Sequence, residues 1–287
     1  MLKSSLSIII LSQNEERNIK ACIQSVIELG VPIFVLDSGS TDQTLEILKK
    51  YPVKVFYHPF ENYGKQRNWA FQNLPITTDW ILNMDADHRL TPELALEIKA
   101  IFIHGINEHI KGFLISRKTI FMGQWMKYGG HYPVYHNILF RKEFGVCEDK
   151  LYDQHFVVDG HCETLKGDMI DILTDSLQSF IERHNRWSGL EAEDQFYGYT
   201  KASKENLVLA KATGNAQQKR RYAKSVYEKF PLFVRPFIYF FIRYFIRLGF
   251  LDGMKGLIFH FLQGFWFRFL VDAKIYELKK LKVKGLK

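Results

Sequence analysis

The first 112 residues of this 287-residue chain alternate between short apolar runs and segments in which apolar residues recur at helical intervals. The runs, some of them rich in β-branched residues, have the length of strands, and we predict strands over residues 7–11, 33–36, 53–57 and 80–84. We predict helices over residues 18–29, 44–50 and 67–74, and a fourth helix that begins where Thr91 precedes Pro92. This alternation predicts an α/β fold in which helices flank a mostly parallel sheet.

Three of the predicted strands end in polar clusters, at residues 12–15, 37–42 and 85–87. In an open α/β sheet the carboxyl ends of parallel strands share one edge, and ligands bind beyond that edge. A single cluster of this kind is better explained by a turn and a helix cap. Three clusters at one edge favour a ligand site.

Asp85 and Asp87 supply two carboxylates on the turn after the fourth predicted strand. Such oxygens suit a hard divalent cation, Mg²⁺ or Mn²⁺, which commonly shares its coordination shell with substrate phosphates. Asp37 precedes Gly39, where the backbone allows close approach of a ligand, so its carboxylate can accept hydrogen bonds from a base or a ribose. The chain contains neither a Gly-rich dinucleotide fingerprint nor a P-loop motif, which disfavours both of those site types.

Together these segments resemble the nucleotide-sugar-binding signature of family 2 glycosyltransferases, which have the GT-A fold. The similar segments are residues 7–16 (SIIILSQNEE), 35–42 (VLDSGSTD) and 84–87 (MDAD), and residues 64–70 (GKQRNWA) resemble the family's Arg-Asn segment. The order and the spacing of these motifs both match the family.

Further motifs resemble the bacterial subgroup that adds sugars to lipopolysaccharide core, notably its β-1,4-glucosyltransferase-like members. They lie at residues 121–125, 129–133 and 139–141, and the whole resemblance covers about residues 5–200. As a set these motifs are specific, whereas each one alone is not.

The resemblance implies a nucleotide-sugar site with a bound divalent metal, Mg²⁺ or Mn²⁺. Asp37 would bind the base, Asp85 would contact the ribose or the metal, and Asp87 would hold the metal that bridges the diphosphate. The residues that the resemblance assigns to the nucleotide sugar are Asn14, Glu15, Asp37, Ser38, Lys65, Arg67 and Asp85. For Lys65 and Arg67 a solvated helix start is the competing explanation.

An inverting transferase needs a carboxylate that takes the proton of the attacking acceptor hydroxyl. In the family this acid follows the D-x-D motif, often as a His-Glu pair, which residues 147–156 of this chain lack. Asp153 is our first candidate for the base because of its distance from residues 156–160, and Glu148 and Asp149 are the alternatives.

Aromatic and basic residues after the D-x-D motif are candidates for acceptor binding: Trp125, Tyr132, Arg186 and Trp187. Residues 183–187 (RHNRW) resemble the Q-x-x-R-W motif of processive family members but lack its Gln. In that segment His184 could complete the metal shell. Aromatic core packing is an equally good explanation for Trp125, Tyr132 and Trp187.

The net charge of +8 conceals a strong asymmetry. Residues 219–287 contain 16 Lys and Arg against 4 Asp and Glu, together with 18 of the 43 aromatic residues. Within them, a helix over residues 230–251 would direct Arg235, Arg243 and Arg247 toward lipid phosphate and its aromatic residues into the acyl boundary. We therefore expect a peripheral membrane contact with anionic lipid, and the apolar density disfavours nucleic acid as a partner.

These features predict a GT-A glycosyltransferase domain over residues 1–225 and a basic, aromatic, helical tail over residues 226–287. Within the domain, residues 1–112 would form the nucleotide-sugar-binding half and residues 113–225 the acceptor half. A pair of core helices is the competing explanation for the tail. The N-terminus lacks the features of a signal peptide, and no apolar run has the length of a membrane span.

Three cysteines cannot form a paired disulfide framework, which favours a reducing compartment. A zinc site built from Cys147, His155, His161 and Cys162 is a weak alternative, because the chain has no C-x-x-C pair.

The function expected from the resemblance is inverting transfer of a hexose from a nucleotide diphosphate sugar, with UDP as the first candidate nucleotide. The acceptor would be a lipid-linked glycan of cell-envelope polysaccharide or lipopolysaccharide biosynthesis, at the cytoplasmic side of the inner membrane. Two alternatives stay open: a transferase that uses polyprenyl phosphate itself as acceptor, and a non-catalytic membrane adaptor with a degenerate transferase domain.

Overall fold

The computed structural model describes residues 5–174, 176–198 and 207–283. The chain divides into two compact units, and it passes between them more than once. Unit 1 comprises Met1–Arg117, Tyr135–Asp149 and His155–Asp171, and unit 2 comprises Lys118–Val134, Lys150–Gln154 and Ile172–Lys287. These units are interleaved in sequence, and the functional division at residues 112 and 225 stays a prediction.

The strands of the structure are β1 (Leu6–Ser12), β2 (Ile33–Asp37), β3 (Lys54–Tyr57), β4 (Trp80–Asp85), β5 (His88–Leu90), β6 (Ile110–Phe121), β7 (Gln124–Trp125), β8 (Tyr135–Arg141), β9 (Gly145–Cys147), β10 (Phe156–Val158) and β11 (His161–Ile172). The main sheet has the order β3-β2-β1-β4-β8-β6-β11-β5, with β7 paired to β6, and β9 pairs with β10 separately. β1 to β4 are joined by parallel pairing. Beyond β4 the sheet becomes antiparallel through β8 and β6. This mixed sheet confirms the predicted α/β class.

The α-helices are α1 (Ile19–Val26), α2 (Thr44–Leu48), α3 (Tyr63–Asn73), α4 (Pro92–His104), α5 (Leu177–Tyr197), α6 (Ala216–Glu228), α7 (Arg235–Phe241), α8 (Gly253–Phe259) and α9 (Phe267–Val283). α3 begins four residues earlier than predicted, because the side chain of Asn62 accepts the N–H of Lys65 at 2.8 Å and caps the helix. Thr91 caps α4 in the same way, as predicted.

The core of unit 1 lies on both faces of its parallel strands. Ile8 and Ile10 of β1 are buried in one apolar cluster with α1 and α4, and Ile9 and Leu11 are buried in another with α3. Since side chains alternate between the faces of a strand, a strand covered on both sides needs a continuous apolar run. This explains why residues 8–11 read as a strand from sequence alone.

Unit 2 is largely helical, and α9 packs along α5. Phe267, Val271 and Ile275 of α9 are buried with Ala192 of α5. Between α7 and α9 the chain continues through two π-helical segments, Ile242–Ile246 and His260–Trp266, and a 3-10 turn at Gly249–Asp252. In the part of the chain that the structure describes, none of the helices has the length and apolar character to cross a membrane.

The predicted continuous helix over residues 230–251 is wrong, and of its three arginines Arg247 is exposed whereas Arg235 is buried. Leu248 has a φ of 59°, and the chain turns there. Arg235 is 2% exposed and pairs with the buried Asp272 of α9 at 2.5 Å. The Nη1 of Arg243 donates to the hydroxyl of Tyr239 at 2.7 Å. A buried acid 37 residues later in the chain attracts Arg235 inward, so the exposed surface of this segment is mainly apolar, with Arg247 as an exposed cation.

The Arg235–Asp272 pair gives a direct test of this packing. Substituting Asp272→Asn leaves the guanidinium of Arg235 buried and uncompensated, so we expect the free energy of unfolding to fall by about 3–5 kcal/mol. Urea denaturation of the variant would measure this change, with Glu277→Gln, at an exposed position of α9, as the control. A loss no larger than that of the control would contradict the inward orientation of Arg235.

Candidate functional site

The loops that follow β1 and β2 are bonded to each other in unit 1. The N–H of Asn14 donates to Oγ of Ser40 at 2.8 Å, and Oδ1 of Asn14 accepts the N–H of Thr41 at 2.8 Å. The N–H of Glu15 donates to Oγ1 of Thr44 at 2.8 Å. Two of the polar clusters found in the sequence therefore form one joined surface, and Asn14 has a left-handed φ of 54° in it.

Asp37 ends β2 and organises the loop behind it. Its side chain is buried, and Oδ1 accepts the N–H groups of Gly39 and Ser40 at 2.9 and 2.8 Å. Oδ2 accepts the hydroxyl of Ser40 at 2.5 Å. Gly39 has a φ of +97°, a backbone conformation that favours glycine. The carboxylate is thus fixed at the edge of the sheet where the sequence places a base-binding acid.

A buried glutamine that the sequence analysis missed links this loop to α3. Nε2 of Gln66 donates to Oγ of Ser38 and to the carbonyl of His58, both at 3.0 Å. Its Oε1 lies 2.8 Å from Nδ1 of His58, whose ring stacks on Trp69 at 4.3 Å between centroids. Gln66 lies in the motif at residues 64–70, which was its only sequence signal.

Asp85, at the end of β4, is bound to α3 through Arg67. Nη2 of Arg67 donates to Oδ1 of Asp85 at 2.5 Å. Burial raises the pKa of Asp85, but the charges of Arg67 and His88 outweigh burial and hold that pKa below its usual range. Arg67 is itself 5% exposed, and its Nη1 is buried without a hydrogen-bond partner among the described residues. One N–H group of this guanidinium is therefore available to an additional acceptor.

Asp85, Asp87 and His88 form the one group of three or more potential metal ligands found among the described residues, with ligand atoms within 4.8 Å of one another. His88 was not among the predicted site residues, although it directly follows the D-x-D motif. The N–H of Asp85 donates to its Nδ1 at 3.0 Å. Burial lowers the pKa of His88. Because Nδ1 accepts an N–H, the proton of the neutral ring lies on Nε2.

Nε2 of His88 lies 3.7 Å from Oδ2 of Asp85 and 3.8 Å from Oδ1 of Asp87. A protonated Nε2 has no lone pair to offer a cation, so the two carboxylates are the usable ligands of this group. This set of oxygen donors fits Mg²⁺ or Mn²⁺.

Lys65 points into solvent at the start of α3. Its Nζ pairs with Oε2 of Glu61 at 2.5 Å, and both side chains are about half exposed. The structure therefore brings Asn14, Asp37, Ser38, Arg67 and Asp85 into bonded loops of unit 1, whereas Lys65 is paired on the surface beside them.

The three candidates for the base have different environments. Glu148 is fully buried, and its Oε2 accepts the N–H of His155 at 2.9 Å. Asp149 is exposed, and its Oδ1 accepts from the side chain of Asn62, the cap of α3, at 3.2 Å. Asp153, in unit 2, pairs with Lys224 at 3.0 Å and with Arg221 at 3.7 Å.

The candidate acceptor residues lie in unit 2. Trp125 and Tyr132 meet edge to face, 4.9 Å between ring centroids. Arg186 is exposed on α5, and Trp187 packs against Tyr152 with the buried helix cluster. Trp125 and Tyr132 are therefore in contact with each other, whereas Trp187 packs against the buried residues of the helices.

His184 has the environment of a core imidazole. It is 1% exposed, its ring stacks on Phe180 at 3.8 Å, and Nδ1 bonds to the carbonyl of Phe180 at 2.8 Å. Burial lowers its pKa to about 4. We therefore no longer assign a metal-binding role to His184.

The alternative zinc site is not formed by the described residues. The imagined set of Cys147, His155, His161 and Cys162 is not among the groups whose ligand atoms come together. Burial raises the pKa of the Cys147 thiol to about 12, which disfavours the thiolate that a metal would bind.

Comparison with known proteins gives the family. The model of glycosyl transferase family 2 matches residues 7–166, which is more than half of the chain. The chain belongs to glycosyl transferase family 2. The matched segment contains the joined loops, Asp37 and the D-x-D turn, and membership confirms both the resemblance and the GT-A-like fold.

Two proteins named as glycosyltransferases are similar to most of the chain. An uncharacterised glycosyltransferase of Rickettsia typhi, RT0209, is 27% identical over 95% of this chain and 87% of its own. The lipopolysaccharide core biosynthesis glycosyltransferase LpsC of Rhizobium meliloti is 25% identical over 98% of this chain and 96% of its own. Among solved structures, S. aureus TarS 1-349 is 16% identical, with a TM-score of 0.46 over 98% of this chain and 92% of that chain.

Proposed function

We propose that this family 2 protein is a metal-dependent, inverting glycosyltransferase. It moves a hexose from a nucleotide diphosphate sugar, with UDP as the first candidate, to a lipid-linked glycan in envelope polysaccharide or lipopolysaccharide synthesis. The observation that carries the proposal is the pair of carboxylates, Asp85 and Asp87, at the sheet edge beside a buried arginine with a spare donor. The name of the full-length relative LpsC supports the class of acceptor.

The donor side follows from the chemistry of unit 1. Asp85 and Asp87 would hold the divalent cation, whose chemistry is to neutralise the charge that builds on the leaving diphosphate. Nη1 of Arg67 offers an N–H to a phosphate oxygen. Asp37, fixed by Gly39 and Ser40, would accept hydrogen bonds from the base or the ribose.

Asp149 is the base that the structure supports best. A general base must reach the acceptor hydroxyl from an accessible position. The carboxylate of Glu148 is buried against a backbone N–H, and that of Asp153 is compensated by two cations. Asp149 is exposed and adjoins the cap of α3, the helix that carries Arg67. It would take the proton of the acceptor hydroxyl as its oxygen attacks the anomeric carbon.

An apolar face of unit 2 would hold the enzyme at the inner face of the cytoplasmic membrane. Exposed side chains of this face include Phe237, Phe241, Ile242, Phe245, Ile246, Leu248, Phe250, Leu251, Met254, Leu257 and Phe261. Residues 229–271 contain one acid, Asp252, which is buried, and exposed cations such as Arg247 adjoin the apolar residues. Aromatic and aliphatic side chains bordered by cations suit the boundary of an anionic bilayer.

Removing Asp87 tests the metal-dependent reaction. In Asp87→Asn we expect the rate of sugar transfer with Mn²⁺ to fall at least about a hundredfold, because one oxygen ligand loses its charge. Nucleotide-sugar turnover and Mn²⁺ binding are measured together, with the exposed Asp159→Asn as control. Turnover by Asp87→Asn equal to that of the control would contradict the proposal.

Comparing two acids tests the base. We expect Asp149→Asn to lower kcat by about 10²–10⁴-fold with little change in donor affinity, since only proton removal is lost. For Asp153→Asn we expect lower thermal stability, because Lys224 and Arg221 lose a partner, and a smaller loss of kcat. A larger loss of kcat in Asp153→Asn than in Asp149→Asn would identify Asp153 as the base instead.

The apolar face is tested with point substitutions, since deleting the tail would also remove the buried residues of α9. We expect Phe245→Glu combined with Ile246→Glu to weaken sedimentation with vesicles containing anionic lipid by tenfold or more, at about 1.5–3 kcal/mol per lost apolar side chain. Leu96→Glu on α4 is the control because Leu96 is 68% exposed in unit 1. Equal loss in the control would contradict the assignment of the face.

A further inference from the structure

Behind the apolar face, two tyrosines and two arginines form a packed group, the arginine–tyrosine cluster: Tyr227, Tyr239, Arg243 and Arg268. The tyrosine rings meet at 5.5 Å between centroids. The guanidinium of Arg268 lies over both rings, at 5.9 and 5.5 Å, and that of Arg243 lies 5.2 Å from the ring of Tyr239. None of these side chains has a role in the donor site, which is built from unit 1.

Arg243 has an unused hydrogen-bonding edge. Its Nη1 donates to the hydroxyl of Tyr239, but Nε and Nη2 are buried and have no hydrogen-bond partner among the described residues. Nε and Nη2 form the side of a guanidinium that binds two oxygens of a carboxylate or a phosphate at once. Nε of Arg268 and the hydroxyl of Tyr227 are also buried, and neither has a hydrogen-bond partner among the described residues.

The charges around the cluster leave positive charge uncompensated. Lys224 pairs with the carboxylates of Asp153 and Glu191, and Arg268 pairs with Glu191. Arg235 is compensated by Asp272, whereas Arg243 has no ion pair with a carboxylate of the described residues. Burial, and then the charges of Arg220 and Arg247, lower the pKa of Arg243, against the effect of Tyr239. A desolvated guanidinium without a carboxylate partner is costly until an anion joins it.

Tyr239 responds to the same excess of charge. Burial would raise its pKa, but Arg243 and Arg268 outweigh burial and lower that pKa to about 8. At neutral pH the phenol is therefore mostly protonated and does not supply the missing negative charge. Its titration is a local probe of the positive potential in the cluster.

We propose that the arginine–tyrosine cluster is a binding site for a phosphate or diphosphate group, with the side-on edge of Arg243 as its main donor. A phosphate offers three or more acceptor oxygens, which can meet Nε and Nη2 of Arg243 together with Nε of Arg268 or the hydroxyl of Tyr227. A carboxylate offers two oxygens and would leave at least one of these buried donors without a partner. This proposed site is built from side chains of unit 2 alone, and it does not rest on the donor site proposed for unit 1.

The position of the cluster indicates where such a phosphate would come from. Arg243 lies in the segment Ile242–Ile246, whose Ile242, Phe245 and Ile246 are exposed on the apolar face. Acyl or prenyl chains on that face would bring a lipid phosphate to the inner side of the same segment. Free phosphate in solution has the same chemistry, so the test needs separate arms for the two sources.

Binding of inorganic pyrophosphate to the full chain in EDTA tests the site without the metal of the donor site. We expect the wild type and Asp87→Asn to bind with equal affinity, by calorimetry and by a rise in melting temperature. Arg243→Gln should weaken binding roughly ten- to a hundredfold, since charge-assisted hydrogen bonds are lost, and Arg243→Lys should restore part of it. The exposed Lys279→Gln is the matched change of charge and should bind like the wild type.

Vesicles distinguish the two sources. Weaker binding of Arg243→Gln than of wild type to phosphatidylcholine vesicles that contain phosphatidic acid, with equal binding to pure phosphatidylcholine, indicates a lipid phosphate. An effect of Arg243→Gln on pyrophosphate alone indicates a soluble phosphate. Both outcomes support the site.

The ionisation of Tyr239 provides a measurement that would not change if Arg243 had only a structural role. A bound anion raises the pKa of Tyr239, so pyrophosphate should lower the tyrosinate absorbance at pH 8.5, and Tyr239→Phe should abolish that change. The proposal is overturned if Arg243→Gln binds pyrophosphate like the wild type, if Lys279→Gln loses as much affinity, or if Asp87→Asn alone abolishes binding.

Discussion

The parallel pairing of β1 with β2 on one side and β4 on the other is the constraint on which the proposed donor site depends. In this register Ser12 lies beside Asp37 and Leu11 lies beside Asp85, so the acids that follow two different strands come to one edge. The three strands are almost wholly buried, and their apolar side chains pack into clusters on both faces. A shift of one residue in this pairing would turn these side chains to the opposite faces of the sheet and would move the acids apart. The packing of the core therefore determines the positions of the acids.

The strands and strand-end acids of unit 1 can be predicted from the sequence because their signals are local. Apolar runs such as residues 8–11 must be continuous to fill both faces of a covered sheet, and polar residues must follow where the chain leaves the core. The positions of Asp37, Asp85 and Asp87 follow from that pattern. The start of α3 was not predicted correctly. Its first turn begins at the capping residue Asn62 and contains no apolar residues at helical spacing. Gln66 and His88 were missed because their roles depend on partners brought near by the fold.

Unit 2 was harder to predict because its charges are compensated across long stretches of chain. A helical projection of residues 230–251 takes no account of Asp272, which holds Arg235 inside. With the orientation of Arg235 corrected, the two surfaces of this segment differ: apolar side chains and Arg247 are exposed, whereas Arg235 and two nitrogens of Arg243 are buried. The same correction reveals unused donors on Arg243. The proposed lipid contact and the proposed anion site thus use neighbouring side chains of one segment.

The central claim is that Asp85 and Asp87 form a metal-dependent nucleotide-sugar site. A crystal structure of the chain with UDP and Mn²⁺, using the anomalous signal of manganese, tests that claim most directly. The account predicts a manganese peak at coordination distance from the carboxylate of Asp87, with the diphosphate on its other side and Arg67 in contact with a phosphate oxygen. A manganese peak elsewhere, or UDP bound away from the ends of β1, β2 and β4, would contradict it.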